Sequence, residues 1–353
     1  MKNTLLNFLL FIFSLSLYAQ VPAYYSEIDF SQDSDNLKQQ LSILITNMHT
    51  TLLPYTSSYT DTWDVLKQSD IEIINSDNIY LVYGYNDRDT DVSNDKLRDK
   101  SLSCHSNSCY GLWNREHVFP KSLADPRLDT SYPSAGTDAH NLRPADSQMN
   151  SSRSNRVFAL GSENSNITPQ GHFFPGEEWK GDIARIIMYM YLRYPPQCKP
   201  NDVAYSTNNY HTDMPDIFLE WNVEDPVSEF ETHRNNTIAS YQGNRNPFID
   251  NPYLATLIWG GTAAIDSWET LSVEEKVNNK EKISVYPNPT SSTLNLKNNS
   301  NSDIETKIYT IDCKLIETKR SNNKIDVSKL ESGLYFLNIK QDNQTQTIPF
   351  IKN

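Results

Sequence analysis

A change in composition between residues 266 and 282 divides the chain, and it limits the fold more than any other feature. Residues 273–282 read VEEKVNNKEK, a charged run with only two apolar residues. Such a run contributes little to a core and favours a linker between two separately packed modules. We therefore expect a large domain over residues 21–265, a linker over residues 266–282 and a small domain over residues 283–353.

The amino-terminal residues 1–20 have the pattern of a secretory signal peptide. Lys2 precedes an apolar run from Leu5 to Leu17, and Ala19 is a small residue at the position where a signal peptidase would cleave. A short membrane anchor is the alternative, but the run is shorter than the ~20 residues that span a bilayer. No later stretch reads as a stable membrane span. We expect the mature protein to be secreted or displayed at the cell surface.

The four cysteines are interpreted in the light of export to an oxidising compartment. Cys104 and Cys109 are separated by four residues and are expected to close a small disulfide loop. Cys198 and Cys313 lie far apart in sequence, and we expect free or individually buried thiols. A zinc site is not expected, because neither paired C-x-x-C spacing nor histidines in register accompany the cysteines.

Hydrophobic spacing predicts two long helices in the large domain, one over Glu177–Tyr194 and one over Phe230–Tyr241, with turn residues from Gly243 onward. Alternating β-branched and aromatic residues predict one or two strands over Ile71–Tyr85. In the small domain four short strands are predicted, at Ser292–Leu296, Thr306–Ile311, Gly333–Ile339 and Thr345–Ile351. The predicted class is α+β, with a mixed large domain followed by a small all-β sandwich.

The segment Asn114–Pro120 (NREHVFP) combines residue types that serve hydrolytic chemistry. Glu116 offers a carboxylate suited to a hard cation such as Mg²⁺, with Ca²⁺ or Mn²⁺ as alternatives. His117 titrates near neutrality and can accept a proton. Because an isolated Glu-His pair carries little information, the prediction also needs support from residues further along the chain.

A second segment, Asp138–Asn155, supplies the context. Pro144 suits the first turn of a helix, and on a helix starting there Asp146, Asn150 and Arg153 would share one face. An amide oxygen from Asn150 is a legitimate ligand for a hard cation, and a neighbouring arginine can hold a phosphate. A strand turned back toward this helix would form a ββα-metal site, similar to a His-Me finger.

Strand geometry sets a condition on this hypothesis. Neighbouring residues of a regular strand point to opposite faces, so Glu116 and His117 cannot both face one cation from an ideal strand. We therefore expect a bulge or a strand end at this pair. His140 is a further histidine in the second segment, and we interpret it as a residue making local hydrogen bonds rather than as a second base.

Four blocks resemble the bacterial endonuclease I family of secreted and periplasmic nucleases. They occur in the family's order and cover most of residues 25–260: NREHVFP at 114–120, DAHNLRPADSQMNSSRSN at 138–155, GDIARIIMYMYLRY at 181–194 and GNRNPFIDNP at 243–252. The resemblance implies a Mg²⁺-dependent enzyme that cuts DNA, and often RNA, with little regard to sequence. It implies Glu116 and Asn150 as metal ligands and His117 as general base, with Arg153 a weaker candidate for phosphate contact.

Two departures from the family pattern affect this assignment. Where the family commonly has Gly-Glu-Val-Asn, this chain has Ser147-Gln148-Met149-Asn150, so a supporting carboxylate is missing or replaced by Asp146. The stretch between the two segments is also short, so the family's arginines from that region have no clear counterpart, and Arg127 is the one candidate.

The tail resembles the carboxy-terminal sorting domain of type IX secretion, through VYPNPT at 285–290 and LESGLY at 330–335. This resemblance implies that residues 283–353 address the protein to the type IX secretion machinery.

Charge weighs against a nucleic-acid substrate without excluding it. From residue 276 onward the chain has 12 basic and 8 acidic residues, so residues 1–275 carry 19 basic and 36 acidic ones. Phosphate backbones attract Lys and Arg, but a site is set by its local groups and bound cation. The rival hypotheses are a noncatalytic surface-displayed adhesion protein and a metal-dependent phosphoesterase for small substrates.

Overall fold

The computed structural model describes residues 21–86, 89–105, 109–269, 284–297, 305–310, 314–320, 324–341 and 344–353. The predicted signal peptide, most of the predicted linker and Cys313 lie outside these ranges. The chain divides into two compact units, Met1–Ser272 and Val273–Asn353. Among the described helices, none is both long and apolar enough to cross a membrane.

The first unit mixes helices with short two-stranded sheets. Its helices are α1 (Ser34–Met48), α2 (Thr62–Ser69), α3 (Ser147–Arg153), α4 (Lys180–Arg193), α5 (Asp216–Glu224), α6 (Glu229–Gln242), α7 (Pro247–Asp250) and α8 (Tyr253–Trp259). Its strands are β1 (Asn78–Tyr80), β2 (Leu97–Asp99), β3 (Trp113–His117), β4 (Leu142–Asp146), β5 (Asn166–Ile167) and β6 (Phe173–Phe174). The strands form three separate antiparallel pairs: β1 with β2, β3 with β4, and β5 with β6.

Helix α4 forms the centre of this unit. Nearly all of its residues are buried, including Ile183, Ile187 and Met190. It also buries Arg185, whose guanidinium binds the Glu231 carboxylate through two 2.7 Å hydrogen bonds from Nε and Nη2. The prediction of a long helix over Glu177–Tyr194 is therefore confirmed. The regularly spaced apolar residues of this helix are buried in the main hydrophobic core.

Helix α6 confirms the second long prediction and shows why it begins and ends where it does. The Ser228 hydroxyl and the Glu231 carboxylate form a capping box at its start. Gly243 ends the helix at φ 93°, a left-handed conformation that glycine adopts without strain.

The prediction of a helix beginning at Pro144 is wrong, because residues 142–146 form strand β4. The Pro144 carbonyl accepts a 2.8 Å hydrogen bond from Val82 N–H. In an antiparallel strand the N–H and C=O of one residue point the same way, so the missing proline N–H faces away from β3. No hydrogen bond between β3 and β4 is lost, and proline is tolerated there.

The regular structure of the second unit, over its described residues, consists of β-strands. Its strands are β7 (Ser284–Tyr286), β8 (Thr293–Lys297), β9 (Glu305–Thr310), β10 (Leu315–Arg320), β11 (Lys324–Asp326), β12 (Gly333–Gln341) and β13 (Gln344–Lys352). They form a four-stranded sheet in the order β10-β9-β12-β13 and a three-stranded sheet in the order β11-β8-β7. Apolar residues of both sheets share one core, which includes Leu294, Ile308 and Leu337.

Candidate active site

The two segments singled out in the sequence meet as a strand, a strand and a helix. Strand β3 pairs with β4 from Trp113 opposite Asp146 to His117 opposite Leu142. Asp146 then caps α3, and its carboxylate accepts hydrogen bonds from the N–H groups of Gln148 and Met149. The chain therefore passes directly from the strand opposite Glu116 into the helix that carries Asn150.

One side of β3 faces helix α3. The Asn150 side-chain amide donates a 2.7 Å hydrogen bond to Asn114 Oδ1. Two residues along the strand, Glu116 Oε1 lies 3.3 Å from Arg153 Nη1, and Arg153 is three residues beyond Asn150 on the helix. These two contacts place Glu116 and Asn150 as diagonal neighbours between strand β3 and helix α3. We call this region, lined by Asn114, Glu116, Asn150 and Arg153, the crease.

Glu116 is held within the protein by more than one group. Its Oε1 accepts a 3.0 Å hydrogen bond from the Tyr83 hydroxyl, in addition to the Arg153 contact. The side chain is only 3% exposed, and burial raises its pKa to about 7, against the lowering effects of Arg153 and Tyr83. Tyr83 itself has φ 72°, a strained conformation for an aromatic residue.

His117 makes a different set of contacts on the other side of the strand. Its Nε2 lies 2.8 Å from the Gly136 carbonyl oxygen, so Nε2 carries a proton and donates. The neutral ring then has its lone pair on Nδ1, which has no hydrogen-bond partner among the described residues. Burial lowers the pKa of His117 to about 3, so the ring is neutral at physiological pH.

Close backbone packing at Gly136 keeps this carbonyl in position. A Cβ at Gly136 would lie 2.1 Å from the Asp129 carbonyl oxygen, which backbone cannot easily relieve. Only glycine fits here without moving the chain. The residue therefore sets the orientation of the His117 ring through its main chain.

The pairing of β3 with β4 is continuous through Glu116 and His117, with no bulge between them. The strand ends at His117, but this ending does not bring the two side chains to one side, so the expectation that both face one cation is wrong. The side chains take opposite sides: Glu116 contacts Tyr83 and Arg153, whereas His117 contacts Gly136 and Tyr55. The two residues therefore do not face a single cation together.

The other predicted residues near the site have different surroundings from those expected. The Asp146 carboxylate accepts a 2.8 Å hydrogen bond from Arg98 and also caps α3. It therefore does not share a helix face with Asn150 and Arg153. The Arg153 side chain is 0% exposed, and its Nη2 donates to the Val118 carbonyl at 2.9 Å. This position does not fit direct phosphate contact, and Arg153 instead fixes Glu116.

Two basic residues follow His117 along the chain: Lys121, whose charge acts on His117, and Arg127, whose charge acts on Lys121. Lys121 is half-buried and Arg127 is exposed, and the charge of Lys121 contributes to the low pKa of His117. Burial and the neighbouring Arg127 lower the pKa of Lys121, against the effect of Asp129. Within the described residues no carboxylate lies within ion-pair distance of either cation. The pair therefore presents positive charge available to an anion.

The remaining predicted features have structural roles. Cys104 and Cys109 form the expected disulfide, and Cys198 is a buried free thiol. His140 is 0% exposed, and its Nε2 lies 3.2 Å from the Asn244 carbonyl oxygen. It is a packed core histidine, consistent with the interpretation from sequence.

Sequence reasoning missed the supporting residues. Tyr83 was interpreted only as part of a strand, and Tyr55 and Gly136 received no role. They come from three separate segments, and no spacing rule relates them to Glu116 or His117. Asn114 alone carried a signal, because it belongs to the quoted NREHVFP segment.

The donors in the crease suit a hard cation. Within the described parts of the chain, no three His, Cys, Asp or Glu side chains cluster as a metal site. Glu116 and Asn150 nevertheless offer carboxylate and amide oxygens, the ligand types that Mg²⁺ accepts while keeping several waters. Tyr83 and Arg153 both use Oε1 of Glu116, and Asn150 Oδ1 has no partner among the described residues.

Comparison with known proteins adds to this geometry. Residues 33–253 match the family described as Endonuclease I. The chain belongs to the Endonuclease I family. It is 36% identical over 254 residues to an extracellular ribonuclease of Bacillus subtilis (strain 168), covering 69% of this chain and 80% of that protein. An extracellular ribonuclease of Bacillus amyloliquefaciens is 34% identical over 253 residues, covering 68% and 79%.

Shorter similarity links this Endonuclease I family member to proteins of another name. An endonuclease-1 of Buchnera aphidicola subsp. Baizongia pistaciae (strain Bp) is 27% identical over 157 residues, covering 41% of this chain and 56% of that protein. Residues 284–353 match the secretion system C-terminal sorting domain. The chain is therefore a hydrolytic nuclease that is secreted or displayed at the cell surface.

Proposed function

We propose that the protein is a sequence-nonspecific endonuclease that hydrolyses phosphodiester bonds of DNA and RNA. In this proposal β3, β4 and α3 form a ββα-metal motif, His117 is the general base, and Glu116 and Asn150 hold Mg²⁺. Two relatives are named extracellular ribonucleases, which supports RNA as a substrate, and two are named endonuclease-1, which supports cleavage within a polymer. DNA as a substrate rests on the resemblance to the family.

The observation that carries the proposal is the arrangement of Glu116 and His117 on opposite sides of a strand that ends at His117. In-line displacement places the attacking and leaving oxygens on opposite sides of the phosphorus. A base and a cation that serve these two oxygens must therefore also be separated. A phosphodiester lying across the strand end would meet His117 on one side and the crease with Glu116 and Asn150 on the other.

His117 Nδ1 takes a proton from water in this mechanism. The water oxygen forms a bond to phosphorus while the ester bond to the leaving oxygen breaks, and solvent protonates that oxygen. The Gly136 carbonyl fixes the tautomer that leaves Nδ1 with its lone pair. The low pKa keeps the ring neutral, and the negative charge of a bound phosphate would raise its basicity.

Mg²⁺ bound in the crease would neutralise charge on the phosphate and on the leaving oxygen. Glu116 and Asn150 would hold it, with Ca²⁺ or Mn²⁺ as alternatives. Tyr83 and Arg153 position the Glu116 carboxylate, and Asn114 orients the Asn150 amide so that its oxygen points away from that contact. We assign phosphate binding to Lys121 and Arg127 rather than to the fully buried Arg153.

The two ends of the chain serve delivery in this proposal. Residues 1–20 act as a signal peptide, and the sorting domain at residues 284–353 engages the type IX secretion machinery.

The proposal is tested by cleavage of supercoiled plasmid DNA and of a long RNA, with and without EDTA. We expect both polymers to be cut internally in Mg²⁺ and neither in EDTA, and we expect His117→Ala and Glu116→Ala to be inactive. The exposed residue Glu178 lies outside the crease, so Glu178→Ala is a matched control that keeps activity.

The rival functions give different results in the same assay. A small-substrate phosphoesterase would hydrolyse mononucleotides and leave polymers intact, and an adhesion protein would hydrolyse neither. Unchanged cleavage by either variant under saturating Mg²⁺ would refute the residue assignment.

A further inference from the structure

Two surface loops contact the His117 ring, and each carries an exposed tyrosine near its middle. We name them by those residues: the Tyr59 loop is residues 55–62 and the Tyr132 loop is residues 129–137. The first touches His117 through Tyr55, with ring centroids 5.6 Å apart. The second touches it through the Gly136 carbonyl at 2.8 Å.

The Tyr59 loop is fixed to strand β3 by Arg115. The guanidinium lies 3.4 Å from the Tyr55 ring centroid and 4.0 Å from that of Trp63. It also donates hydrogen bonds to Thr62 Oγ1 at 2.8 Å and to Thr56 Oγ1 at 3.1 Å. The base of the loop is therefore held against the strand that carries His117, while Tyr59 lies at its tip.

The Tyr132 loop is closed by its own polar contacts. The Ser134 hydroxyl donates to the Asp129 carbonyl at 2.6 Å, and the Ser131 hydroxyl donates to the Asp129 carboxylate at 2.7 Å. These contacts form a compact turn whose tip is Tyr132. The turn leads directly to Gly136, so the tyrosine is tied to the orientation of His117.

Both tyrosines are more exposed than their apolar area would favour. Tyr59 is 83% exposed and Tyr132 is 60% exposed. Neither phenol has a hydrogen-bond partner, and neither ring stacks on another aromatic residue, within the described part of the chain. An exposed ring on each of two loops that meet at one histidine offers two flat faces for stacking.

Two basic residues, Lys121 and Arg127, lie in the segment that joins β3 to the Tyr132 loop. Lys121 and Arg127 have no carboxylate within ion-pair distance among the described residues. Residues 1–275 are acidic as a whole, with 36 acidic and only 19 basic residues. This charge distribution disfavours long contact with a duplex backbone and permits contact with one or two phosphates.

We propose that Tyr59 and Tyr132 stack with unpaired bases on either side of the scissile phosphate, so that the preferred substrate is a single strand of RNA or DNA. This inference rests on the proposed function. The bases of a duplex are stacked on one another and are not available to protein rings, whereas an unpaired strand can turn its bases outward. Lys121 and Arg127 hold the adjacent phosphate.

The test compares kcat/KM on one labelled oligonucleotide as a single strand, as a duplex and with abasic sites around the cleavage position. The full chain and its Tyr59→Ala and Tyr132→Ala variants are measured on all three. We expect each variant to lose roughly 5- to 150-fold on the single strand, the range found for removing one stacked base contact. Cleavage of the duplex and the abasic strand should change less than about 2-fold, because neither offers an unpaired base at the cleavage position.

Two matched variants separate stacking from structural effects. Tyr59→Phe and Tyr132→Phe keep the ring and should retain wild-type rates. Tyr205 is 67% exposed and stacks on His172 at 4.6 Å, outside both loops, so Tyr205→Ala should have no effect on any substrate.

The possible failures are distinguishable. If the wild-type chain cuts single strand and duplex equally, or if both alanine variants lose equal activity on all three substrates, the stacking inference is wrong and the nuclease function stands. If the wild-type chain cuts none of the three in Mg²⁺, the proposed function is wrong as well.

Discussion

The two sides of strand β3 give neighbouring residues very different surroundings. On the helix side, Asn114 and Glu116 meet Asn150 and Arg153 in a polar crease. On the loop side, Arg115 and His117 meet the Tyr55 ring and the backbone of Gly136. In the proposed mechanism one strand therefore supplies a metal ligand on one side and a base on the other, and the alternation of side chains along the strand keeps them apart.

Burial drives the two titratable groups in opposite directions on the pH scale. It raises the pKa of Glu116 to about 7 and lowers that of His117 to about 3. Both shifts favour the uncharged form, because a buried charge is costly without a partner. In the proposed mechanism the neutral ring of His117 can therefore act as a base, and a bound cation would favour the charged form of Glu116.

Removing the base should have the largest effect. We expect His117→Ala to lower kcat on plasmid DNA by roughly 10²- to 10⁴-fold, the usual contribution of a general base, with KM changed only a few-fold. Quenched-flow or gel kinetics in saturating Mg²⁺ measures both constants. If kcat falls by less than about 3-fold, well short of that contribution, His117 is not the base.

Changing the amide ligand should have a smaller effect that depends on the oxygen. Asn150→Ala removes the ligand oxygen and is expected to weaken Mg²⁺ activation by roughly 10- to 100-fold, similar to other changes at a metal's supporting groups. Asn150→Asp keeps an oxygen and should recover most of the loss. Titration of activity against Mg²⁺ measures this, and equal damage from both variants would argue for a structural role.

Moving the carbonyl behind His117 should act on the loop side alone. In Gly136→Ala the new Cβ meets the Asp129 carbonyl oxygen, so the loop must shift and Nε2 loses its fixed acceptor. We expect about 10-fold lower kcat with unchanged Mg²⁺ activation, consistent with the sensitivity of catalysis to misplacement. A variant that loses metal activation instead would show that the two sides are not independent.

The contributions of Glu116 and His117 to the stability of the fold should change with pH in opposite directions. A raised carboxyl pKa gives stability that is present below about 4.5 and is lost as pH rises through about 7. A lowered histidine pKa gives stability that is present above about 6.5 and is lost as pH falls toward about 3.

The neutral substitutions therefore gain at opposite ends of the pH range. The Tm of Glu116→Gln minus that of wild type should be larger at about pH 8 than at about pH 4.5. The Tm of His117→Gln minus that of wild type should be larger at about pH 4 than at about pH 7.5. Each gain should be on the order of 10 °C. Thermal unfolding in EDTA by circular dichroism measures it, and gains at the same end of the pH range in both variants would contradict the comparison.

The sequence predicted the elements whose pattern is local. Helices α4 and α6 have strong apolar spacing or caps, and both appear close to the expected residues. The strands of the tail follow from alternation, and the Cys104–Cys109 disulfide follows from short spacing. These features need little information from distant parts of the chain.

The features that failed depend on distant contacts. Pro144 was expected to start a helix, but its carbonyl pairs with Val82 and its missing N–H faces away from β3, so strand pairing outweighed the local preference. Arg153 was a candidate for phosphate contact, yet packing buries it against Glu116 and Val118. No local pattern indicates that Tyr83, far from α3 in sequence, holds the carboxylate.

The division of labour along β3 is tested most directly by measuring metal binding and cleavage in the same two variants. Mn²⁺ binding is followed by electron paramagnetic resonance in wild type, His117→Ala and Glu116→Ala, beside plasmid cleavage. We predict that His117→Ala binds Mn²⁺ like wild type and does not cleave, whereas Glu116→Ala loses both. Loss of Mn²⁺ binding in His117→Ala, or cleavage by Glu116→Ala, would contradict the account.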